Sequence, residues 1–293
     1  MRQLAALLLL ATTAALPAAA QAPAAEAALS GKGDFVFSGW AGPPVRVFYQ
    51  LPAVVKPDTP VLFAIHGVQR DADVYRDAWA RMAVERGFIV AAPEFSTKAF
   101  PDNESFSSGG ITDGGKPVPR DRWTFSVVEP LFQAIRARTG TQVLRYVLYG
   151  HSGGAQFVQR FVLMMPDARY SRAIAANAGW YTMPELDAEL PYGLKGSSVD
   201  EAGLKVALAR PLWVLLGSRD VDPRSPALRI TREAMRQGPY RLARGDSFYA
   251  AGQAAAARLG VKYGWQKRYV NGVAHDNIGM ANAAVALVAP KAQ

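Results

Sequence analysis

Hydrophobic and polar positions divide most of the chain into two kinds of segment. Short apolar runs such as residues 61–67 predict buried strands, whereas apolar residues at helical spacing predict amphipathic helices. Tyr75, Trp79, Met82 and Ala83 fall on one such helical face. Further strands are predicted in the sequences DFVFSG, VRVFYQLP, FIVAAPEF, VLRYVLYG, RAIAANAG, PLWVLLG and WQKRYVNG.

Helical patterns follow many of these strands. They cover the sequence WTFSVVEPLFQAIRARTG, in which Pro130 implies a kink or a later start, and residues 154–165, 227–237, 247–259 and 277–288. Strands that alternate with helices predict an α/β fold with a mostly parallel, eight-stranded-type sheet and helices on both faces. Functional groups in such folds gather beyond the carboxyl ends of the strands.

The amino terminus has the pattern of a secretory signal peptide. Residues 1–20 combine an early arginine, an apolar run and small residues at Ala18 and Ala20. Residues 21–33 are rich in Ala, Gly and Pro and predict a disordered lead-in, so that residues 34–293 form a single domain. We therefore expect an exported protein, periplasmic or secreted, with no membrane span after signal cleavage, because no other segment is long and apolar enough.

Net charge and residue composition exclude several kinds of partner and binding site. The net charge is +9, but the arginines are scattered without a basic run, so a nucleic-acid partner is not expected. The chain contains no cysteine, which excludes disulfides and thiolate zinc sites. No dinucleotide or phosphate-loop glycine pattern is present, and no cofactor or metal is expected.

The sequence GHSGG places a serine directly after a predicted strand and at the start of a predicted helix. A sharp turn at Ser152 would expose its hydroxyl, and Gly150 and Gly154 would supply the small neighbours that such a turn requires. The N–H of Gly153 would then lie at a helix amino terminus, where negative charge is stabilised. Ser152 is therefore the candidate nucleophile, in a strand–turn–helix elbow.

A serine nucleophile requires a base, and the chain has three histidines. His151 is fixed inside the elbow and is expected to pack beneath it, while His66 ends a different strand. His275, in a loop after the last strand, is therefore the candidate base. The candidate acid is Asp220, close to the end of another strand, with Asp222 as the alternative. The order serine, acid, histidine is typical of one hydrolase superfamily.

The reaction also requires N–H donors for a developing oxyanion. Gly153 supplies one. The other is expected in the loop after the strand that ends in His66-Gly67, from Val68 or, alternatively, Gln69.

The oxyanion loop, the serine turn, the acid and the histidine follow one another along the chain in this order. In this respect the chain resembles the α/β-hydrolase superfamily over nearly all of its mature length. The stretch AIHGVQRDADVYRDAWARMAVERGFIVAAPEF, with GHSGGAQF, is similar to secreted poly(3-hydroxybutyrate) depolymerase-like and feruloyl-esterase-like proteins, although Val68 stands where those proteins commonly have cysteine. The resemblance implies a serine esterase acting on a small-molecule or polymeric ester. Polyester depolymerase, plant-wall esterase, peptidase and non-catalytic binding protein remain alternatives.

Two segments are candidates for the substrate pocket. Residues 180–209 would form a small cap, with Trp180 and Tyr181 either lining the pocket with Gln69 or filling the core. The long polar loop 96–120 would form the opposite wall through Phe100 and Phe106.

Overall fold

A computed structural model, which describes residues 27–289, contains one eight-stranded sheet. In chain order its strands are β1 (Lys32–Phe37), β2 (Val45–Gln50), β3 (Val61–Ile65), β4 (Ile89–Glu94), β5 (Tyr146–His151), β6 (Tyr170–Ala176), β7 (Leu212–Gly217) and β8 (Gln266–Val270). They lie in the order β1-β2-β4-β3-β5-β6-β7-β8. The pairs β1/β2 and β2/β4 are antiparallel and the others are parallel, which confirms the predicted fold class.

Helices cover both faces of this sheet. They are α1 (Ala72–Arg86), α2 (Val128–Thr139), α3 (Gly153–Met164), α4 (Glu201–Ala209), α5 (Arg232–Gln237), α6 (Arg241–Leu259) and α7 (Asn277–Val288). Helices α1 and α7 pack on one face, and α2, α3, α4 and α6 pack on the other.

The central strand β5 shows why these strands are apolar throughout. Tyr146 and Leu148 belong to the core beneath α2 and α3, whereas Val147 and Tyr149 belong to the core beneath α1 and α7. Successive side chains of a strand point to opposite faces, so a strand that is covered on both sides has no position left for solvent. The carboxyl end of β5 then emerges between two helical layers, at Ser152.

Helix α2 starts later than its apolar pattern. Two 3₁₀ turns, Arg120–Arg122 and Thr124–Val127, come first, and α2 begins at Val128. Pro130 therefore lies in the first turn of α2, where its missing N–H has no intrahelical acceptor to lose. The sequence predicts either a kink at Pro130 or a later start of the helix, and the later start is observed.

Three boundaries differ from the sequence prediction. The disordered lead-in predicted for residues 21–33 is too long, because Leu29 donates its N–H to the Arg138 carbonyl (3.0 Å) and β1 begins at Lys32. The helix predicted over 227–237 begins only at Arg232, after a Thr231 side-chain cap. Helix α6 begins at Arg241, six residues before the predicted 247–259 segment.

The predicted signal peptide, residues 1–20, lies outside the described residues. Within residues 27–289, no helix has both the length and the apolarity to cross a bilayer.

The loop at 96–120 does not expose its aromatic residues. Phe100 and Phe106 are buried against Phe95, at ring-centroid distances of 5.2 and 5.4 Å. The prediction that these two rings form a pocket wall is therefore wrong: apolar rings next to a buried strand end gain more from entering the core. A short antiparallel pairing of Thr112–Asp113 with Lys116–Pro117 gives this loop its only strands among the described residues.

The predicted cap segment, residues 180–209, has two different parts. Its first part, up to Asp200, contains no helix among the described residues, and Asp200 caps α4 by accepting the Gly203 N–H (2.8 Å). Its second part is α4, which buries Leu204 and Leu208 in the core against α3 and α6. Only the irregular part is thus placed to cover a site.

Candidate active site

Ser152 lies in the turn between β5 and α3 with φ 57° and ψ −116°. Backbone of this kind is rare for a residue with a side chain and is found chiefly at functional sites. Tight packing around the turn accounts for its glycines. A Cβ on Gly150 would lie 2.2 Å from the Gly154 carbonyl oxygen, and one on Gly154 would lie 2.0 Å from the Ile65 carbonyl oxygen. Both positions therefore require glycine.

The structure brings Ser152, His275 and Asp220 together from the carboxyl ends of β5, β8 and β7. His275 Nε2 lies 3.0 Å from Ser152 Oγ, and His275 Nδ1 lies 2.7 Å from Asp220 Oδ2. Because a carboxylate only accepts hydrogen bonds, the imidazole proton belongs on Nδ1, which leaves Nε2 free to accept the serine proton. This arrangement is chemically suited to activate the hydroxyl as a nucleophile.

The two candidate acids have different surroundings. Asp220 is 4% exposed, and its second oxygen, Oδ1, accepts a hydrogen bond from Arg241 Nη1 (3.4 Å). Asp222 is exposed, and its side chain accepts the N–H of Arg224 (2.9 Å) instead. The buried Asp220 is therefore the carboxylate that contacts His275.

Two backbone N–H groups lie beside the serine. A Cβ on Gly153 would lie 3.1 Å from the Val68 backbone nitrogen, so the two chain segments are in close contact. Neither the Gly153 N–H nor the Val68 N–H has an acceptor among residues 27–289. Unpaired donors next to a nucleophile are the geometry that stabilises an oxyanion.

Known structures identify the family. A poly(aspartic acid) hydrolase-1 from Sphingomonas sp. KT-1 is 50% identical, with a TM-score of 0.87 over 88% of this chain and 98% of that one. A poly(3-hydroxybutyrate) depolymerase from Bordetella parapertussis is 35% identical, with a TM-score of 0.83 over 88% and 89%. The chain belongs to the α/β-hydrolase superfamily.

A more distant neighbour of this hydrolase adds evidence on the fold alone. An S-formylglutathione hydrolase from Agrobacterium tumefaciens is 17% identical, with a TM-score of 0.56 over 88% of this chain and 95% of that one. No protein-family model and no curated protein sequence matches the chain.

Sequence reasoning missed two residues that hold the hydrolase's site together. Asn177, directly after β6 at φ 52°, donates to the Ala274 carbonyl (2.9 Å) and accepts the Gly217 N–H (2.7 Å). It thereby joins the segment that carries His275 to the end of β7. An asparagine that follows a strand was the available signal, because asparagine tolerates positive φ. Arg241 gave no signal, because no sequence motif links it to Asp220, which lies 21 residues before it.

The other two histidines of the hydrolase are buried. The His151 ring packs against the His275 ring, with centroids 4.6 Å apart, and its Nδ1 lies 3.2 Å from the Tyr75 hydroxyl. Burial, followed by the nearby His275 and Arg241, holds the pKa of His151 well below its usual value. His151 is thus neutral at pH 7 and supports the His275 ring without placing a charge beside it. His66 accepts the Phe95 N–H at Nε2 (2.9 Å), and burial lowers its pKa to about 3.

The residues predicted to line the substrate pocket lie in different places. Trp180 is buried, at 3% exposed, and it lines a cavity of about 490 Å³. Tyr181 is fully buried and stacks on Phe248 at 4.5 Å, so of its two predicted locations the core is the one observed. Gln69 is exposed next to Val68, and no hydrogen bond fixes its side chain to another described residue.

Across residues 27–289, no three histidine or acidic side chains converge as metal ligands.

Proposed function

We propose that this hydrolase cleaves carboxylic esters through an acyl-enzyme on Ser152. The observation that carries the proposal is the continuous chain of hydrogen bonds from Ser152 Oγ through His275 to Asp220, at 3.0 and 2.7 Å. The same chain of three polar groups, placed beside two free backbone N–H donors, is what acyl transfer requires.

In the first half of the reaction, Ser152 Oγ attacks the ester carbonyl carbon while His275 Nε2 takes its proton. The N–H groups of Gly153 and Val68 stabilise the oxyanion of the tetrahedral intermediate. His275 then gives the proton to the alkoxy oxygen as the carbon–oxygen bond breaks. In the second half, water attacks the acyl-enzyme by the same path, and the proton returns to Ser152 as the acid leaves. Asp220 keeps His275 in the required tautomer and stabilises the imidazolium.

Labelling with a fluorophosphonate tests the nucleophile. We expect stoichiometric modification of the folded protein and a labelled peptide that contains Ser152. The variant His275→Ala is expected to lose both labelling and hydrolysis of p-nitrophenyl acetate. An unlabelled folded protein, or full activity in His275→Ala, would contradict the assignment.

A second candidate reaction is hydrolysis of the amide bonds of poly(aspartic acid). Two observations favour it: the 50% identical relative is a poly(aspartic acid) hydrolase, and this chain carries a net charge of +9, which attracts a polyanion. Amide cleavage would use the same residues, with His275 protonating the leaving nitrogen.

A polymer panel separates the two reactions. Poly(aspartic acid) and poly(3-hydroxybutyrate) film should be incubated with the protein and with its Ser152→Ala variant. New amino groups from poly(aspartic acid) would establish the amide reaction, and clearing of the film would establish the polyester reaction. Export to the periplasm or beyond, which the sequence of residues 1–20 supports, is tested by fractionating cells that express the full chain.

A further inference from the structure

The cavity next to Trp180 lies among several segments that follow the carboxyl ends of the strands. Its wall is formed by parts of the loop at 103–115, by α3, by residues 180–196 and by Arg229. Its volume is about 490 Å³, which is within the usual size range of small-ligand sites. Neither Ser152 nor His275 is among its lining residues.

Arg160, on α3, contributes a buried charge to this wall. It is 1% exposed, and it donates Nε to the Thr182 hydroxyl (2.8 Å) and Nη1 to the Ser107 carbonyl (3.0 Å). Its Nη2 has no hydrogen-bond partner. Both acceptors are neutral, so the positive charge of Arg160 is left without a counter-charge.

Arg229 adds a second cation to the same wall. Trp180 lies next to both guanidinium groups, with the Arg160 Cζ 4.0 Å and the Arg229 Cζ 4.6 Å from its ring centroid. Arg229 is half-buried and donates Nε to the Tyr192 hydroxyl (2.6 Å). Burial, followed by the nearby Arg229, lowers the pKa of Arg160 to about 9.

No carboxylate of the described residues compensates these two arginines. None lies within 4.0 Å of either guanidinium, although two line the cavity. Glu189 forms an ion pair with Lys195 (2.7 Å), and Glu104 accepts the Thr112 hydroxyl. Two neighbouring cations without a counter-ion are costly in a partly desolvated site, and a bound anion would relieve that cost.

We propose that this cavity binds a carboxylate of the substrate. Arg229, the more accessible cation, contacts the carboxylate in a planar fork, Arg160 adds its uncompensated charge, and Trp180 packs against the neighbouring chain. This inference rests on the proposed function, which it extends to the substrate class: a chain with a carboxylate some distance from the bond to be cleaved.

The position of Arg160 along α3 sets that distance. Arg160 follows Ser152 by eight positions, which corresponds to about 12 Å along a helix. An extended chain covers about 12 Å in three or four residues. The cavity therefore fits a carboxylate that is several units away from the cleaved bond, so that a short neutral ester does not use it.

Binding to the Ser152→Ala protein tests this subsite without requiring hydrolysis. The probes are an aspartate tetrapeptide, acetylated and amidated at its ends, and the corresponding asparagine tetrapeptide. By isothermal titration calorimetry we expect the aspartate peptide to bind at least tenfold more tightly than the asparagine peptide. Arg229→Gln, in the same background, should raise the Kd for the aspartate peptide at least tenfold, and Arg229→Lys should recover part of this loss.

Arg258→Gln is the matched control, because Arg258 is exposed on α6 and removing it changes the net charge equally. It should change the Kd for the aspartate peptide less than twofold. Equal losses in Arg229→Gln and Arg258→Gln, or equal binding of the two peptides, would overturn the subsite. If the unmodified protein hydrolyses neither esters nor amides, the proposed function is refuted. Failure of the subsite and failure of the proposed function are therefore distinguishable.

Discussion

The catalytic edge and the cavity wall of this hydrolase place their polar groups in opposite situations. At the catalytic edge, Ser152, His275 and Asp220 satisfy one another at 3.0 and 2.7 Å. At the cavity wall, Arg160 and Arg229 lie beside one indole ring without a counter-ion among the described residues. The hydrogen bonds of the first region are complete without a substrate, whereas under our proposal the second region gains its counter-charge from a substrate. Under this proposal the catalytic edge determines reactivity and the cavity wall determines selectivity, so that the two properties depend on separate parts of the same sheet edge.

The largest effect is expected when the catalytic edge loses its carboxylate. Asp220→Asn keeps the shape but lets the amide donate to His275 Nδ1, so the imidazole proton moves to Nε2 and the base is lost. We expect kcat for p-nitrophenyl acetate to fall by about 10⁴-fold. Asp222→Asn is the control, because Asp222 is exposed and contacts Arg224 rather than His275. Similar rates in the two variants would show that Asp220 is not the acid.

The next effect concerns the turn that holds the nucleophile. The added methyl group of Gly154→Ala would meet the Ile65 carbonyl at 2.0 Å, and a backbone atom cannot move aside as a flexible side chain can. We expect the free energy of unfolding to fall by about 3 kcal/mol or more, measured by urea denaturation. Gly203→Ala on α4 meets only an ordinary contact, at 3.4 Å, and should gain up to about 1 kcal/mol of helix stability. A Gly154→Ala protein as stable as Gly203→Ala would mean that the turn has room for a Cβ at position 154.

The sequence predicts Ser152, His275 and Asp220, which the structure brings together, because a local turn motif marks the serine and few histidines compete for the role of base. An apolar run followed by GHSGG specifies a buried strand and a tight turn, and the three histidines left one candidate base. The parallel sheet and the final helix, Asn277–Val288, also follow from periodicity alone. These features depend on steric limits and hydrophobic spacing, which act between residues that are close in sequence.

The cavity wall could not be found in this way, because its charges come from distant segments. Arg160 has no feature that distinguishes it from the other residues of the predicted 154–165 helix. Arg229 falls within the helix predicted over 227–237, whereas the observed helix begins at Arg232. Aromatic character alone makes Tyr181 and Phe106 candidates for a pocket wall, yet packing puts both rings in the core. Which charged or aromatic residue faces a cavity is decided by tertiary contacts, and periodicity does not contain that information.

A smaller effect should follow when the support behind the catalytic acid is removed. Arg241 is 2% exposed and donates to Asp220 Oδ1 at 3.4 Å. Arg241→Met leaves that oxygen buried and unpaired, which should reduce the free energy of unfolding by about 2 kcal/mol. Because the positioning of Asp220 also weakens, we expect a lower kcat and a shift in the pH profile of kcat/KM. Arg258→Met, at the exposed position, controls for the lost charge; a stability loss with an unchanged pH profile would limit Arg241 to a structural role.

At neutral pH the smallest effect on stability is expected at His66, which lies beside the catalytic edge and takes no part in the hydrogen-bonded chain. Its pKa is about 3 in the folded protein against an ordinary value of 6.5, because burial disfavours the charged ring. Between these two values the unfolded chain binds one more proton than the folded chain. Folding stability from this group is therefore fully present above pH 6.5 and decreases as the pH falls, by about 1.4 kcal/mol per pH unit.

The variant His66→Gln isolates this contribution. Glutamine can still accept the Phe95 N–H that His66 Nε2 accepts at 2.9 Å, but it does not titrate. Urea unfolding at pH 7.5, 6.5, 5.5 and 4.5 should show that the unmodified protein loses stability more steeply than His66→Gln below pH 6.5. His151, whose pKa is also lowered by burial, remains in both proteins and cancels in the difference. Parallel curves would mean that water reaches the His66 ring. This result would contradict the burial of His66 beside the catalytic edge.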